Sequence, residues 1–150
     1  MRTKRVLIEG GTYHVTSRTN AKHPAFSEKL GRKIALLMLR EAKETYGFTL
    51  HNFCVMPNHI HLLITPEAGT NLSDILRRIK ISIAKAWNRT YNSSNHFWGE
   101  RFFSRLIRDP DDYSAVSEYI DQNPIKAGLV EKTEDWDACY AYYLANDCEF

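Results

Sequence analysis

The spacing of apolar positions changes several times along the chain, and each change marks an element. Thr12-Tyr-His-Val-Thr-Ser-Arg18 follows Gly10-Gly11 and is rich in β-branched and aromatic residues, the composition of a strand. Pro24 and Ser27 open a helical pattern that runs to about Tyr46, with Leu30, Ile34, Leu37, Met38 and Ala42 at helical spacing and Gly47 closing it. Phe48 to Met56 reads as a second strand, Pro57-Asn58 as a turn and His59 to Thr65 as a third strand. Pro66 to Thr70 is a loop. Asn71 or Ser73 can cap a second helix to about Tyr91, striped by Leu72, Ile75, Leu76, Ile79, Ile83 and Trp87. Beyond the Asn92-Ser-Ser-Asn95 loop, Phe102 to Arg108 reads as a fourth strand. Asp109-Pro110 opens a third helix to about Asn123, where Pro124 should stop it.

The order β-α-β-β-α-β, with an added helix and a tail, predicts an α+β protein. The expected fold is ferredoxin-like (RRM-like): a four-stranded antiparallel sheet with two helices on one face. No repeat, low-complexity segment or linker divides the 150 residues, so 1–150 reads as one domain, with 131–150 an acidic, aromatic C-terminal tail. Trp136 and Tyr140 are expected to pack that tail on the body, away from nucleic acid or over the site as a gate.

Composition excludes several classes. A chain that is 43% hydrophobic and 12% aromatic is not disordered. No apolar run approaches a membrane span, and no secretory signal is read at the N-terminus, so cytoplasmic residence is expected, nucleoid-associated when DNA is bound. Three cysteines without a CxxC argue against a disulfide framework or a structural zinc finger. The net charge of +2 conceals an asymmetry: residues 1–130 hold 19 bases and 12 acids, whereas 131–150 hold six acids and one base. A basic body suits a polyanion.

The densest chemistry lies in His59-Ile60-His61. Alternate strand residues share a face, so both imidazoles project together while Ile60 points the other way with Leu62 and Ile64. Two convergent imidazoles are ready metal ligands. In the third helix, Tyr119 and Asn123 are four apart and share a face. A positioned phenol can attack a phosphorus whose charge a metal neutralises, and an amide oxygen one turn later can complete the metal's ligands. Asp121 and Gln122 are rival donors. Tyr119 packed at the core edge and Asn123 capping the helix before Pro124 are the alternative readings.

These residues resemble a family, the single-tyrosine HUH transposases, and within it the REP-associated tyrosine transposases. The resemblance rests on Val55-Met-Pro-Asn-His-Ile-His-Leu-Leu63 and Tyr119-Ile-Asp-Gln-Asn-Pro-Ile-Lys-Ala-Gly-Leu-Val130, with support from Gly11 to Arg18 and from Phe97-Trp98 and Phe102 to Asp109. It implies that His59, His61 and Asn123 bind Mg²⁺ or Mn²⁺ and that Tyr119 is the nucleophile. It implies cleavage of single-stranded, hairpin-bearing DNA through a 5′-phosphotyrosine intermediate and rejoining by a 3′-hydroxyl. A non-catalytic, domesticated hairpin-binding regulator is the alternative. The resemblance allows either a homodimer, with the tyrosine helix serving the partner's histidines, or a monomer.

For DNA contact the candidates are Arg77, Arg78, Lys80 and Lys85 on the basic second helix, expected beside the site, and Arg18 and Arg105 on the strands. Phe97, Trp98 and Phe102 are candidate base-stacking aromatics. Arg2-Thr-Lys-Arg5 is a candidate groove-reaching arm, and His14 a candidate general base.

Overall fold

In the computed structural model, which describes residues 7–150, four strands and four helices follow one another in the expected order. The Arg2–Arg5 arm lies outside the described residues. Strand β1 is Tyr13–Thr19, β2 Phe48–Met56, β3 His59–Pro66 and β4 Trp98–Leu106. Helix α1 is Lys29–Thr45, α2 Leu72–Thr90, α3 Pro110–Lys126 and α4 Tyr140–Ala145. The sheet order is β2-β3-β1-β4 with every neighbour antiparallel, which is the ferredoxin-like arrangement. No described helix is long and apolar enough to cross a membrane.

The register sorts side chains between the two faces. Tyr13, Val15 and Ser17 on β1 pair with Ile64, Leu62 and Ile60 on β3, and all six are buried. This face carries the core and is covered by α1 and α2, whose buried stripes include Ile34, Leu39, Ile75, Leu76, Ile79 and Ile83. The opposite face presents His14, Thr16 and Arg18 from β1 beside His61 and His59 from β3. Helix α3 lies over that second face, tied down where Asn52 Nδ2 donates to Asp121 Oδ1 at 3.0 Å and to Ser117 Oγ at 2.9 Å.

Several expectations are corrected. Pro24–Ser27 form a turn rather than the first helical turn, and α1 starts at Lys29. Leu30 and Leu37 are exposed; the buried stripe of α1 is Gly31, Ile34, Ala35, Leu36, Leu39 and Ala42. Strand β4 begins at Trp98, four residues early, because a bulge against β1 absorbs the extra chain. Helix α3 passes through Pro124 to Lys126. It ends in a Schellman turn in which Leu129 N–H reaches Pro124 O and Gly128 N–H reaches Ile125 O, with Gly128 at φ +72°. Asn123 is therefore inside the helix and is not its cap. The N-termini follow expectation: Asn71 Oδ1 accepts from Ser73 and Asp74, and Asp109 Oδ1 accepts from Asp112 ahead of Pro110.

The tail is a structural part of the body. Trp136 Nε1 donates to Val55 O at 2.9 Å, Val55 N–H donates to Ala138 O, and Cys54 and Cys139 form an isolated antiparallel bridge. The exposed edge of β2 is thus partly covered. Arg32 pairs with Asp137 through both Nε and Nη2 and stacks on Trp136, while Phe150 packs against Phe53. These contacts anchor the tail on β2 and α1, and Thr133 Oγ1, donating to Asp121 O, ties it to α3 as well.

Candidate active site

Strand β3 aims both histidines at one face because Ile60, Leu62 and Ile64 must fill the core on the other. The rings of His59 and His61 stand 4.9 Å apart, edge to face. His59 Nδ1 donates to Asn58 Oδ1 at 2.7 Å, which leaves its Nε2 lone pair available. His61 is 4% exposed. Its Nδ1 lies 3.0 Å from His14 Nε2 and 3.2 Å from Thr16 Oγ1, and its buried Nε2 has no hydrogen-bond partner among the described residues.

That orphaned nitrogen fits a cation. A buried acceptor with no donor costs free energy unless something positive meets it. With the proton on Nδ1, His61 donates to His14 Nε2 or Thr16 Oγ1 and keeps its Nε2 lone pair free, the arrangement typical of a ligating histidine. In this tautomer His14 Nε2 serves as an acceptor for His61. His14 in this arrangement orients the His61 ring.

The surroundings keep all three imidazoles neutral. Burial pushes His61 down to about 3, with the positive forms of His59 and His14 and the Arg18 guanidinium adding to the effect. His59 is lowered by burial and by Arg18, and His14 by burial and by Arg105. Neutral imidazoles are the ligating form.

Helix α3 brings Tyr119 to the same place. Its ring centroid is 5.8 Å from that of His61 and 5.9 Å from that of His14, edge-on to both, and the residue is 46% exposed. Tyr119 thus stands partly exposed beside the histidines of its own chain. Lys126 Nζ sits 5.5 Å above the Tyr119 ring. Asn123, one turn on, donates through Nδ2 to Tyr119 O at 2.8 Å, a bond that does not use its Oδ1. Asp121, the rival donor, points to β2 and is held by Asn52; burial raises its carboxyl.

The DNA-contact candidates divide. Arg18, exposed, pairs in register with His59 and borders the site, and no described carboxylate lies within ion-pair distance of it. Arg105 pairs in register with His14, but its guanidinium grips Asp112 through two bonds of 3.0 and 2.8 Å and so docks the start of α3 on β4. Arg77, Arg78, Lys80 and Lys85 ride on α2, across the sheet from the histidines and not beside them as expected. Trp98 Nε1 on the core face donates to Lys80 O, Arg78 stacks on Tyr46 and Arg77 neighbours Asp74. Of the proposed stacking aromatics, Phe97 and Trp98 are buried in the core, and Phe102 pairs with Ser17 on the core face. The missed aromatic is Phe103, which pairs with Thr16 on the histidine face. Sequence alternation required one of Phe102 and Phe103 to point outward, but only the register says which.

Comparison with known proteins bears on the family and the fold. The family model described as "Transposase IS200 like" matches residues 8–123. A REP-associated tyrosine transposase of Escherichia coli K12 is 29% identical over 136 residues, covering 89% of this chain and 78% of that protein. A Haemophilus influenzae protein, provisionally named a REP-associated tyrosine transposase, is 32% identical over 107 residues. The match covers 65% of this chain and only 61% of that relative's length. The solved structure of a REP-associated tyrosine transposase bound to a REP hairpin superposes with a TM-score of 0.80 at 25% identity, covering 100% of this chain and 88% of the other.

Proposed function

The chain belongs to the IS200-like transposase family, and from that membership we propose that it nicks and rejoins single-stranded DNA, with Tyr119 as the nucleophile. One observation carries the reading. A half-exposed phenol stands 5.8 Å, ring to ring, from a histidine whose buried Nε2 has no partner among the described residues. A tyrosine kept only for packing has no need of such a neighbour.

His59, His61 and Asn123 would hold a divalent cation, Mg²⁺ or Mn²⁺, which when bound would neutralise charge on the scissile phosphate. Asn58 and His14 orient the two imidazoles, and Arg18 adds positive charge where the phosphate would enter. The Tyr119 oxygen attacks phosphorus and loses its proton to solvent. The bond to the 3′ oxygen breaks and that oxygen takes up a proton. The products are a 5′-phosphotyrosine and a free 3′-hydroxyl. Attack by a 3′-hydroxyl on the phosphotyrosine reverses the balance and rejoins strands without a nucleotide cofactor. Because Tyr119 meets its own chain's histidines, one chain suffices for one cleavage.

The solved neighbour bound to a REP hairpin supports a hairpin-bearing substrate. The test is incubation of the full chain with hairpin oligonucleotides carrying single-stranded flanks, in Mg²⁺ or Mn²⁺, followed by a denaturing gel. A retarded protein–DNA adduct is expected, absent with chelator and in Tyr119→Phe. Binding without adduct in either metal would replace this reading with the non-catalytic regulator.

A further inference from the structure

Phe103 is 65% exposed, the largest exposure of any large hydrophobic side chain among the described residues. It stands on the histidine face, and helix α3 leaves it uncovered. The register strings Phe103, Thr16 and His61 in one row across β4, β1 and β3. Two strand spacings put Phe103 roughly 10 Å from His61 along that row. The one neighbour of Phe103 in that row, Thr16, is polar.

Two arginines stand near the ring against one acid, Glu100. Arg18 borders the same face, and Arg101, exposed in the adjoining bulge of β4, also lines a groove with Arg77 and Lys80 of α2. Neither Arg18 nor Arg101 has a described carboxylate within ion-pair distance. An aromatic plane flanked by unpaired guanidiniums, on the open face of an antiparallel sheet, matches unpaired bases on a phosphate backbone. A second copy of the chain would bring the same positive charges against these.

We propose that Phe103 is a stacking platform for an unpaired base close to the phosphate that Tyr119 attacks, with Arg18 and Arg101 holding the backbone on either side. The inference rests on the nicking function and adds the surface that grips the single-stranded flank. A stack of this kind is sequence-tolerant, because every base has a π-face. It fixes where the strand lies and leaves base choice to other contacts.

The test uses full-length protein in a Tyr119→Phe background and a hairpin with oligothymidine flanks, one flank position at a time replaced by 2-aminopurine. Phe103 is exposed, so Phe103→Ala should keep its melting temperature. Phe103→Ala should weaken flank binding about 10-fold and abolish fluorescence quenching at one position, while Phe103→Trp retains both. Equal affinity and quenching in Phe103→Ala would overturn the platform. If chain with native Tyr119 still forms its adduct, the nicking function survives that failure; if it forms none on any oligonucleotide, the function itself fails first. Loss of self-association in Phe103→Ala, with DNA binding unchanged, would reassign the ring to contact between copies and equally overturn the proposal.

Discussion

His14 Nε2 stands 3.0 Å from His61 Nδ1, linking two imidazoles on adjacent strands. With its proton on Nδ1, His61 donates across this contact and presents the lone pair of Nε2. His14→Ala removes that acceptor and leaves only Thr16 Oγ1 to orient the ring. Affinity for Mn²⁺, measured by calorimetric titration of the intact protein, should fall about 10-fold. An unchanged affinity would show that His14 does not orient a ligand.

Asn52 fastens the nucleophile's helix to β2 through Ser117 and Asp121. Asn52→Ala strips Asp121 of its donor in a half-buried setting and loosens the segment that carries Tyr119. The nicking rate at saturating DNA should drop by about 10-fold, with hairpin affinity little changed, because small misplacements of a reacting group are costly. Equal losses in rate and affinity would point instead to global unfolding.

Arg105 and Asp112 give the fold a pH signature. The Arg105 guanidinium, helped by the Arg108 backbone N–H, holds the Asp112 carboxyl well below the usual carboxylate range. A depressed carboxyl stabilises the native state above its unfolded value of 3.8, and that stabilisation is lost as pH falls below it toward the native value. Asp112→Asn should therefore melt below wild type at neutral pH, with the gap closing under strongly acidic conditions. A gap constant across both conditions would exclude the ion pair as its source.

Trp136 tests the role of the tail. Its buried indole fills a gap beside β2 and satisfies Val55 O. Trp136→Ala should cost about 3–5 kcal/mol in chemical denaturation, the usual range for removing a buried indole. It should not raise nicking. Faster nicking with full stability would show instead that the tail gates the site.

Much of this site was legible before any coordinates, for reasons tied to particular residues. His59 and His61 had to share a face because strands alternate, and Tyr119 and Asn123 had to share one because helices turn. Asn71 and Asp109-Pro110 announced their helices by capping chemistry. Other features depend on pairing, which no local pattern carries. The stripe on α2 showed that it covers a sheet, but which face it covers, and hence that its bases lie far from the histidines, follows from the crossover connections. Phe102 and Phe103 are equivalent until Ser17 and Thr16 choose between them. Pro124 read as a stop because proline disfavours helical geometry in the residue before it, whereas the helix runs on to Lys126 and closes at Gly128.

The central claim is that Tyr119 becomes covalently joined to DNA. Digestion of the adduct with protease and nuclease, followed by tandem mass spectrometry, tests it most directly. The account predicts a 5′-phosphonucleotide on the peptide containing Tyr119 and on no other. A nicked strand with free ends and no modified peptide, or a nucleotide on a different residue, would contradict it.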